Sequence, residues 1–371
     1  MKVALIAPQV TVINEPQRGG SQAFLSDLAR GLTRRGHDVH VYAASGSDIP
    51  GATVIDTGID PQTLAATLYR ASSPAPDPSL AEAAFAGVYA TVRQTRYDVV
   101  HNHAFDAPAV ALATGLGAPV VHTLHLPPDR AVTAALRLVS QDGGPPAVAT
   151  VSASQAQAWR RAVRVDAILP PLVPTASIAW SRSAGAGAVF GGRLSPEKGA
   201  AQAIDIARAA GVPIDVYGDA YDAGYARDQI GPRRDLPGVT MHPGVPRASL
   251  WAAMARAAVV LYPSQWDEPF GMAAAEAQAC GTPVVAFARG ALGEVIADER
   301  TGFLVPPGDI RAAAPIPWLA PVTTATRPAS QCFISWSPAG RAARGPPGSV
   351  PGPGGPRRAR GRPGARSPPP G

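Results

Sequence analysis

The feature that most constrains the fold is an alternation of short apolar runs with helical segments, which begins at the amino terminus. An apolar run at 2–8 is followed by a loop that closes on Gly19-Gly20, by a segment with apolar residues at helical spacing, and by a second apolar run at 39–42. Ser21 is the expected N-cap of this helix, and Gly36 is expected to end it. A strand, a helix and a second strand in this order form a βαβ unit, which implies a parallel sheet.

The same alternation stops once and then starts again. Residues 170–187 are rich in Pro, Ala, Ser and Gly and are predicted to link two domains. Further strands are predicted on both sides of this linker, at 97–100, 119–121, 147–152, 188–192, 213–217, 239–241, 259–262, 283–287 and 301–305. We therefore expect an α/β protein of two Rossmann-like parallel-sheet domains, residues 1–172 and 173–310, which face each other across a cleft.

The last part of the chain differs in composition. Residues 311–371 contain nine Arg, 14 Pro and 9 Gly, with no Lys, Asp or Glu. This segment has no apolar periodicity with which to build a core, so we predict that it is disordered. An Arg-, Pro- and Gly-rich stretch is what a GC-rich gene gives in a wrong frame, and we hypothesise a reading-frame change near residues 311–315. Without these nine Arg the formal charge of +6 becomes −3 for residues 1–310, so the charge is no argument for nucleic-acid binding.

Cysteine usage and hydropathy bear on the compartment. The two cysteines, Cys280 and Cys332, form neither a disulfide framework nor a metal-binding spacing. No apolar run reaches the roughly 18 residues of a membrane span, and the first run is too short for the core of a signal peptide. No clear basic amphipathic helix supports contact with a membrane surface. We expect a cytoplasmic chain.

Four of the seven histidines stand at or just beyond the carboxyl ends of two neighbouring predicted strands: His101, His103, His122 and His125. Ligands bind at this edge of open α/β sheets. These side chains are therefore either polar contacts to a substrate or buried histidines with satisfied hydrogen bonds. A metal site is disfavoured, because no carboxylate or thiolate stands at a metal-binding spacing beside them.

Lysine is almost absent from the chain, which makes its positions informative. Lys2 and Lys198 are the only lysines, and every other cation is Arg. Lys198 follows Arg193 in the glycine-containing segment 191–199 after a predicted strand. This choice indicates that a compact ammonium is needed there.

The segment 266–277 carries two carboxylates eight positions apart. Glu268 precedes a turn with Pro269 and Gly271, and Glu276 lies in the short helix that follows, about 12 Å away along a helical path. A helix start of this kind can hold an anion or sugar hydroxyls, and the two carboxylates suit opposite ends of one long ligand. The alternative is an amphipathic helix with two solvated carboxylates. Hydride transfer is disfavoured, because the glycine pair at 185 and 187 precedes a strand instead of following one.

Taken in order, these segments resemble the retaining GT-B glycosyltransferases of family 4, also called glycosyltransferase group 1. The resemblance covers roughly residues 1–310. It rests on Arg18-Gly19-Gly20, on residues 35–39, 98–103 and 122–125, on Arg193 and Lys198, on Glu268 and Glu276, and on residues 290–294 and 301–305.

The resemblance implies roles for these residues. Arg193 and Lys198 would hold the diphosphate of a nucleotide-sugar and stabilise charge on the leaving group. Glu268 would hold the hexose together with the backbone of Phe270, Gly271 and Met272. Glu276 would bind the ribose hydroxyls, Gly19 and Gly20 would approach the diphosphate from the other domain, and His125 would lie near the reacting sugar. His125, Arg193, Lys198 and Glu268 are thus the expected catalytic residues, and no metal or other cofactor is implied.

The implied reaction is transfer of a hexosyl group from a UDP- or GDP-sugar, with retention, to an unidentified small-molecule, glycan or lipid acceptor. The loops 9–20, 45–78 and 126–146 are expected to shape the acceptor pocket. Three departures from the family pattern stand at residues 169–174, at Gly218-Asp219-Ala220, and beyond Ile310, where the family continues with further helices. A nucleotide-sugar binder without turnover is therefore the alternative function.

Overall fold

The computed structural model describes residues 1–17, 19–65, 78–142, 146–181 and 185–314. The prediction of a disordered tail at 311–371 falls almost entirely on residues outside these ranges. Within them, α13 (Ile310–Ala313) is a single helical turn. The side chain of Asp309 caps it by accepting a hydrogen bond from the backbone N–H of Ala312.

The first half of the chain is built on a parallel sheet of seven strands. Their order across the sheet is β3-β2-β1-β4-β5-β6-β7. β2 and β3 are thus added on one side of β1, and the strands from β4 onwards are added on its other side. The strands are β1 (Lys2–Ile6), β2 (Asp38–Ala43), β3 (Thr53–Asp56), β4 (Val99–Asn102), β5 (Val120–Leu124), β6 (Ala147–Thr150) and β7 (Ala167–Ile168).

Helices connect these strands and cover the sheet. They are α1 (Gly20–Arg34), α2 (Pro61–Ala65), α3 (Pro78–Val92), α4 (Ala107–Ala111), α5 (Arg130–Asp142) and α6 (Ala153–Trp159). One core packs α1 against β1 and β2, a second packs α3 against the other side of the sheet, and a third lies under α5 and α6.

The second half repeats the plan with six parallel strands in the order β10-β9-β8-β11-β12-β13. The strands are β8 (Ala188–Gly191), β9 (Ile214–Tyr217), β10 (Val239–His242), β11 (Val259–Tyr262), β12 (Val284–Phe287) and β13 (Gly302–Val305). The helices are α7 (Ala200–Ala209), α8 (Ala223–Tyr225), α9 (Gly231–Arg234), α10 (Arg247–Arg256), α11 (Met272–Ala279) and α12 (Leu292–Val295), with a π-helical turn at Ala226–Ile230. Two apolar cores, one on each side of this sheet, bury β8, β11 and β12 completely and the outer strands in part.

The predicted fold class is confirmed, with local differences. The loop predicted at 126–146 contains α5, and the loop predicted at 45–78 contains β3 and α2. The N-cap of α1 is Gly19 instead of Ser21, because the helix begins two residues earlier than the side-chain pattern indicated. The boundary between domains at residue 172 stays a prediction.

Candidate functional site

Three of the predicted site residues, Arg193, Lys198 and Glu268, follow the two strands at which the strand order of the second sheet reverses. β8 and β11 are neighbours there, with Ala188 beside Val259. The chain leaves β8 towards Arg193 and Lys198, and it leaves β11 towards Glu268. In open α/β sheets this crevice beyond the strand ends is where ligands bind.

Lys198 and Glu268 form a buried ion pair at this point. The Lys198 ammonium donates to both carboxylate oxygens of Glu268, at 3.1 and 3.0 Å. The hydroxyl of Ser264 and the indole N–H of Trp266 donate to the same carboxylate at 3.1 and 2.9 Å. The ammonium also lies 5.0 Å from the centre of the Trp266 ring, so this ring supports both partners of the pair.

Glu268 is ionised in this environment. Burial alone disfavours its charged form, but the charge of Lys198 and the hydrogen bonds from Trp266, Lys198 and Ser264 together outweigh burial and hold the pKa of Glu268 below its usual value. Because both oxygens already accept hydrogen bonds, the carboxylate is a fixed negative charge and an acceptor.

Arg193 belongs to the same loop as Lys198 but is held by other groups. Its guanidinium donates to Glu197 at 3.1 Å and lies 4.4 Å from the centre of the Tyr221 ring. Glu197 also accepts from the hydroxyl of Ser195 at 2.7 Å. The side chain of Arg193 is about one-third exposed, so it can turn towards an anion in the crevice with little loss of burial.

The helix α11 begins beside Glu268 with an uncapped N-terminus. Gly271 is its N-cap residue and has a φ of 98°, a conformation that favours glycine, and no side chain caps the first turn. A Cβ on Gly271 would lie 2.7 Å from a methyl carbon of Leu292. The preceding Phe270 is half-buried against the apolar core below the helix. The N–H groups of the first turn can therefore donate hydrogen bonds to an anion or to hydroxyl oxygens.

The N-terminus of α1 meets this helix from the other half of the chain. A Cβ on Gly20 would lie 3.3 Å from Cγ of Met272, so the absence of a side chain permits the close approach. Gly19 caps the same helix end and has no such neighbour in the other half. Arg18 lies outside the described residues.

Glu276 lies one turn into α11, where the structure gives it a partner that the sequence did not indicate. Arg247, the first residue of α10, donates to one oxygen of Glu276 from Nε at 3.1 Å and from a terminal nitrogen at 2.6 Å. The other terminal nitrogen of Arg247 donates to Asp27 of α1 at 2.9 Å. Glu276 and Asp27 are buried, so the reading of solvated carboxylates on an exposed helix face is wrong for Glu276.

A cluster of histidines lies at the carboxyl ends of β4 and β5, as predicted. His103 and His125 share a hydrogen bond of 3.0 Å, His101 pairs with Thr123 at 2.7 Å, and His122 pairs with Asn102 at 3.0 Å. Phe24 of α1 packs against the rings of His103 and His125. Within the described residues, Nε2 of His103 is buried and has no hydrogen-bond partner.

Burial makes all four histidines neutral near pH 7. It lowers the pKa of His101 and His122 to about 4 and that of His125 to about 3. The pKa of His103 lies well below its usual value because of burial and the neighbouring His101 and His125. His125 can therefore offer a hydrogen bond to a ligand, but it carries no charge with which to neutralise a phosphate.

Across the described parts of the chain, no three His, Cys, Asp or Glu side chains are grouped so that they could hold a metal ion. In the same residues no helix combines the length and the apolar character needed to cross a bilayer.

Comparison with known families gives matches for both halves. Residues 18–176 match the family described as Glycosyltransferase Family 4, and residues 186–315 match the family described as Glycosyl transferases group 1. Together these ranges cover every residue predicted for the site and all strands of both sheets except β1.

Named relatives and solved structures agree with these matches. The D-inositol 3-phosphate glycosyltransferase of Segniliparus rotundus is 30% identical over 330 residues, covering 77% of this chain and 73% of the relative. That of Mycolicibacterium smegmatis is 31% identical over 358 residues, covering 83% and 81%. Sucrose-phosphate synthase of Thermosynechococcus elongatus has the same fold, with a TM-score of 0.67, 20% identity and coverage of 84% and 88%. The Anabaena protein HepE in complex with UDP-glucose gives a TM-score of 0.63, 21% identity and coverage of 85% and 88%.

The two parallel sheets, the two family matches and the relatives at 30% identity lead to one conclusion: this chain belongs to the group 1 glycosyltransferases of family 4 and is a glycosyltransferase.

Proposed function

We propose that this glycosyltransferase moves a hexosyl group from a UDP- or GDP-sugar to an acceptor, with retention of the anomeric configuration. The observation that carries the proposal is the buried pair of Lys198 and Glu268 beside the uncapped N-terminus of α11. A sugar diphosphate has negative phosphates next to neutral hydroxyls. The site offers one cation, one fixed carboxylate and free N–H groups within a single crevice, which matches that combination.

In this proposal the cations and the helix N-terminus serve the diphosphate. Negative charge grows on the leaving phosphate as the glycosidic bond breaks, and preorganised positive groups stabilise that charge. Lys198 is already held in place by Glu268, so it needs no reorganisation during the reaction. Arg193 joins it from the same loop, and the N–H groups at Gly271 and Met272 complete the cradle.

The sugar and the ribose would lie on the two sides of this diphosphate. Glu268, with the backbone at Phe270, accepts hydrogen bonds from the hexose hydroxyls, and Glu276 accepts them from the ribose. His125 contacts the reacting sugar as a neutral hydrogen-bond partner, which its low pKa supports. Gly19 and Gly20 bring the N-terminus of α1 to the diphosphate, and the contact between Gly20 and Met272 favours this geometry.

Glu268 is ill suited to act as a nucleophile. Oε2 of the carboxylate accepts from Lys198, Ser264 and Trp266, whereas Oε1 accepts only from Lys198. Attack by the carboxylate would consume the negative charge that balances the buried ammonium and leave that ammonium unpaired. Retention without a carboxylate nucleophile fits the implied route in which the acceptor attacks on the face that the diphosphate leaves. The departing phosphate then helps to remove the acceptor's proton.

The test is a donor and acceptor screen on the purified chain. UDP-, GDP- and ADP-sugars are each incubated with a panel of acceptors, and released nucleotide is measured. The panel includes D-inositol 3-phosphate, because named relatives carry that acceptor in their names. NMR of the product gives its anomeric configuration. Inversion of configuration, or turnover only with an ADP-sugar, would contradict the proposal.

A second candidate is a protein that binds the nucleotide-sugar without turning it over. The departure from the family pattern beyond Ile310 favours it, since family members continue with helices there. Binding of a nucleotide-sugar with no nucleotide release across the acceptor panel would establish this second function and reject the first.

A further inference from the structure

Arg247 contacts three carboxylates, two of which belong to the first half of the chain. Its guanidinium donates to Glu276 of α11 in the second half and to Asp27 of α1 in the first half. Its backbone N–H donates to the carboxylate of Glu15, also in the first half, at 3.1 Å. The guanidinium lies 4.9 Å from the centre of the Trp251 ring, which restricts its position further.

These charges are removed from solvent. The side chains of Arg247, Asp27 and Glu276 are 11%, 8% and 6% exposed. One guanidinium between two carboxylates leaves a buried net charge of −1, which costs solvation energy that a neutral apolar contact would not. Stability alone therefore gives little reason for this arrangement, and a role in coupling becomes the better explanation.

The contacts of Arg247 with Asp27 and Glu276 form a bridge between α1 and α11, the two helices whose N-termini meet at the donor crevice. Asp27 stands about 10 Å along α1 from Gly20, and Glu276 stands about 6 Å along α11 from Met272, at about 1.5 Å per residue. Gly20 and Met272 are the residues that approach each other at these helix starts. A link between Asp27 and Glu276 therefore fixes how the two helix starts face each other.

The hydrogen bonds between Arg247 and Glu276 also show how the bridge could respond to a bound ligand. Both bonds from Arg247 to Glu276 end on the same carboxylate oxygen, Oε1. The carboxylate is held in one orientation by these two bonds, and its second oxygen can accept from a ligand hydroxyl. A hydroxyl bound there and the guanidinium would then hold the same group from two sides.

We propose that Arg247 is a positioning residue that couples occupation of the donor site at Glu276 to closure of the two halves through Asp27. The inference rests on the proposed function, in which Glu276 binds the ribose. Coupling of this kind is reciprocal: if a bound donor strengthens the bridge, the bridge strengthens donor binding by the same factor. A change at Asp27, which contacts no part of the donor in this scheme, must then weaken donor binding.

The first measurement is the affinity for UDP and for UDP-glucose by calorimetry in Asp27→Asn and Arg247→Lys chains. Asn keeps the shape of Asp27 without its charge, and a single ammonium cannot make the three bonds of the guanidinium. We expect each variant to bind at least about fivefold more weakly, the lower end of typical allosteric coupling. Combining the two changes should weaken binding no further, because both break the same bridge.

Matched controls are Asp38→Asn, an exposed carboxylate of the first half, and Arg256→Met, an exposed arginine on the same helix as Arg247. Both should bind as the wild type does. Urea midpoints of all variants separate loss of folding from loss of coupling, and Arg247→Lys keeps the test available if Asp27→Asn does not fold.

The second measurement is the distance between the halves. Spin labels are placed on exposed helix positions by Arg34→Cys and Arg208→Cys, with Cys332→Ser. Cys280 can stay, because burial raises the pKa of its thiol to about 12 and leaves it unreactive. We expect UDP-glucose to narrow the distance distribution in the wild type and to leave it broad in Asp27→Asn.

The outcomes are distinct. If the wild type binds nucleotide-sugar and Asp27→Asn binds it equally well, the coupling is rejected and the proposed function stands. If the wild type binds none of the UDP-, GDP- or ADP-sugars, the proposed function fails and the coupling fails with it.

Discussion

The change of Lys198 to Met removes the one ammonium of the proposed donor site while keeping the length of the side chain. In the wild type, Glu268 accepts two hydrogen bonds from Lys198 and one each from Ser264 and Trp266. In the variant a buried carboxylate keeps only the two neutral donors. Its charge is then no longer balanced.

The magnitude follows from this loss. Removing one partner of a buried ion pair costs about 3–5 kcal/mol, and the partial exposure of Lys198 places the expected loss of unfolding free energy near the lower value, about 3 kcal/mol. The pKa of Glu268 should rise, because burial is the largest influence on it and the ammonium no longer opposes burial. In the wild type the lowered pKa stabilises the fold above pH 4.5, and this contribution disappears as the pH falls further. In the variant the raised pKa of Glu268 means that ionisation of this carboxylate destabilises the fold. This loss of stability shrinks as the pH falls through the raised pKa.

Donor binding should weaken as well. A hydrogen bond to a charged group contributes about 1.5–3 kcal/mol. The charge of Lys198 is partly balanced by Glu268, so we expect Lys198→Met to bind a UDP-sugar roughly tenfold more weakly. Urea unfolding at pH 7 and pH 4.5 and calorimetry with the donor measure the two effects. Lys2→Met is the matched control, because Lys2 is the only other lysine and lies partly exposed at the amino-terminal end of β1, far along the chain from the site. Unchanged stability together with unchanged donor affinity would refute the role given to the pair.

Three further predictions concern other parts of the fold and site. Arg193→Met should raise the donor KM roughly fivefold or more, because a charged hydrogen bond to the donor is lost, while the urea midpoint should stay within error because the pair of Arg193 and Glu197 is partly exposed. An unchanged KM would show that Arg193 is not part of the site. Gly271→Ala should destabilise the fold by about 1–3 kcal/mol and more than Gly36→Ala, since both have positive φ but only Gly271 has a side chain within contact of the new methyl; equal losses would show that crowding is unimportant. The lowered pKa of His122 means that the unfolded chain binds a proton more readily than the folded chain, so stability should fall as the pH drops from 6.5 towards 4. His122→Asn should make this pH dependence less steep in urea titrations, and an equally steep profile would contradict the burial of a neutral His122.

Most of the fold could be predicted from the sequence because its strands are short apolar runs bounded by glycine or proline. The exceptions have separate reasons. β7 has two residues, which is too short for any periodicity. The helix α5 did carry a signal, since Val132, Leu136 and Val139 recur every three or four residues and are buried together, and the prediction of a loop at 126–146 missed it.

The candidate site was predictable in part for a different reason. The scarcity of lysine singled out Lys198, and the spacing of two carboxylates singled out Glu268 and Glu276. The contact of Arg247 with Asp27 and Glu276 had no sequence signal, because it is one of many arginines and its partners lie far away along the chain. Such a contact depends on how the two halves meet, which local patterns do not encode.

The strand order of the second sheet also bears on synthesis of the protein. β8 lies at the centre of this sheet, but its neighbour β11 follows it only after β9 and β10 have been added. Lys198 therefore leaves the ribosome long before Glu268, 70 positions later, and must stay solvated or find other contacts in the interval. Because a growing chain folds in the order in which its parts emerge, the ion pair can close only after β11 has joined the sheet. Formation of this pair thus reports that β11 has taken its native place beside β8.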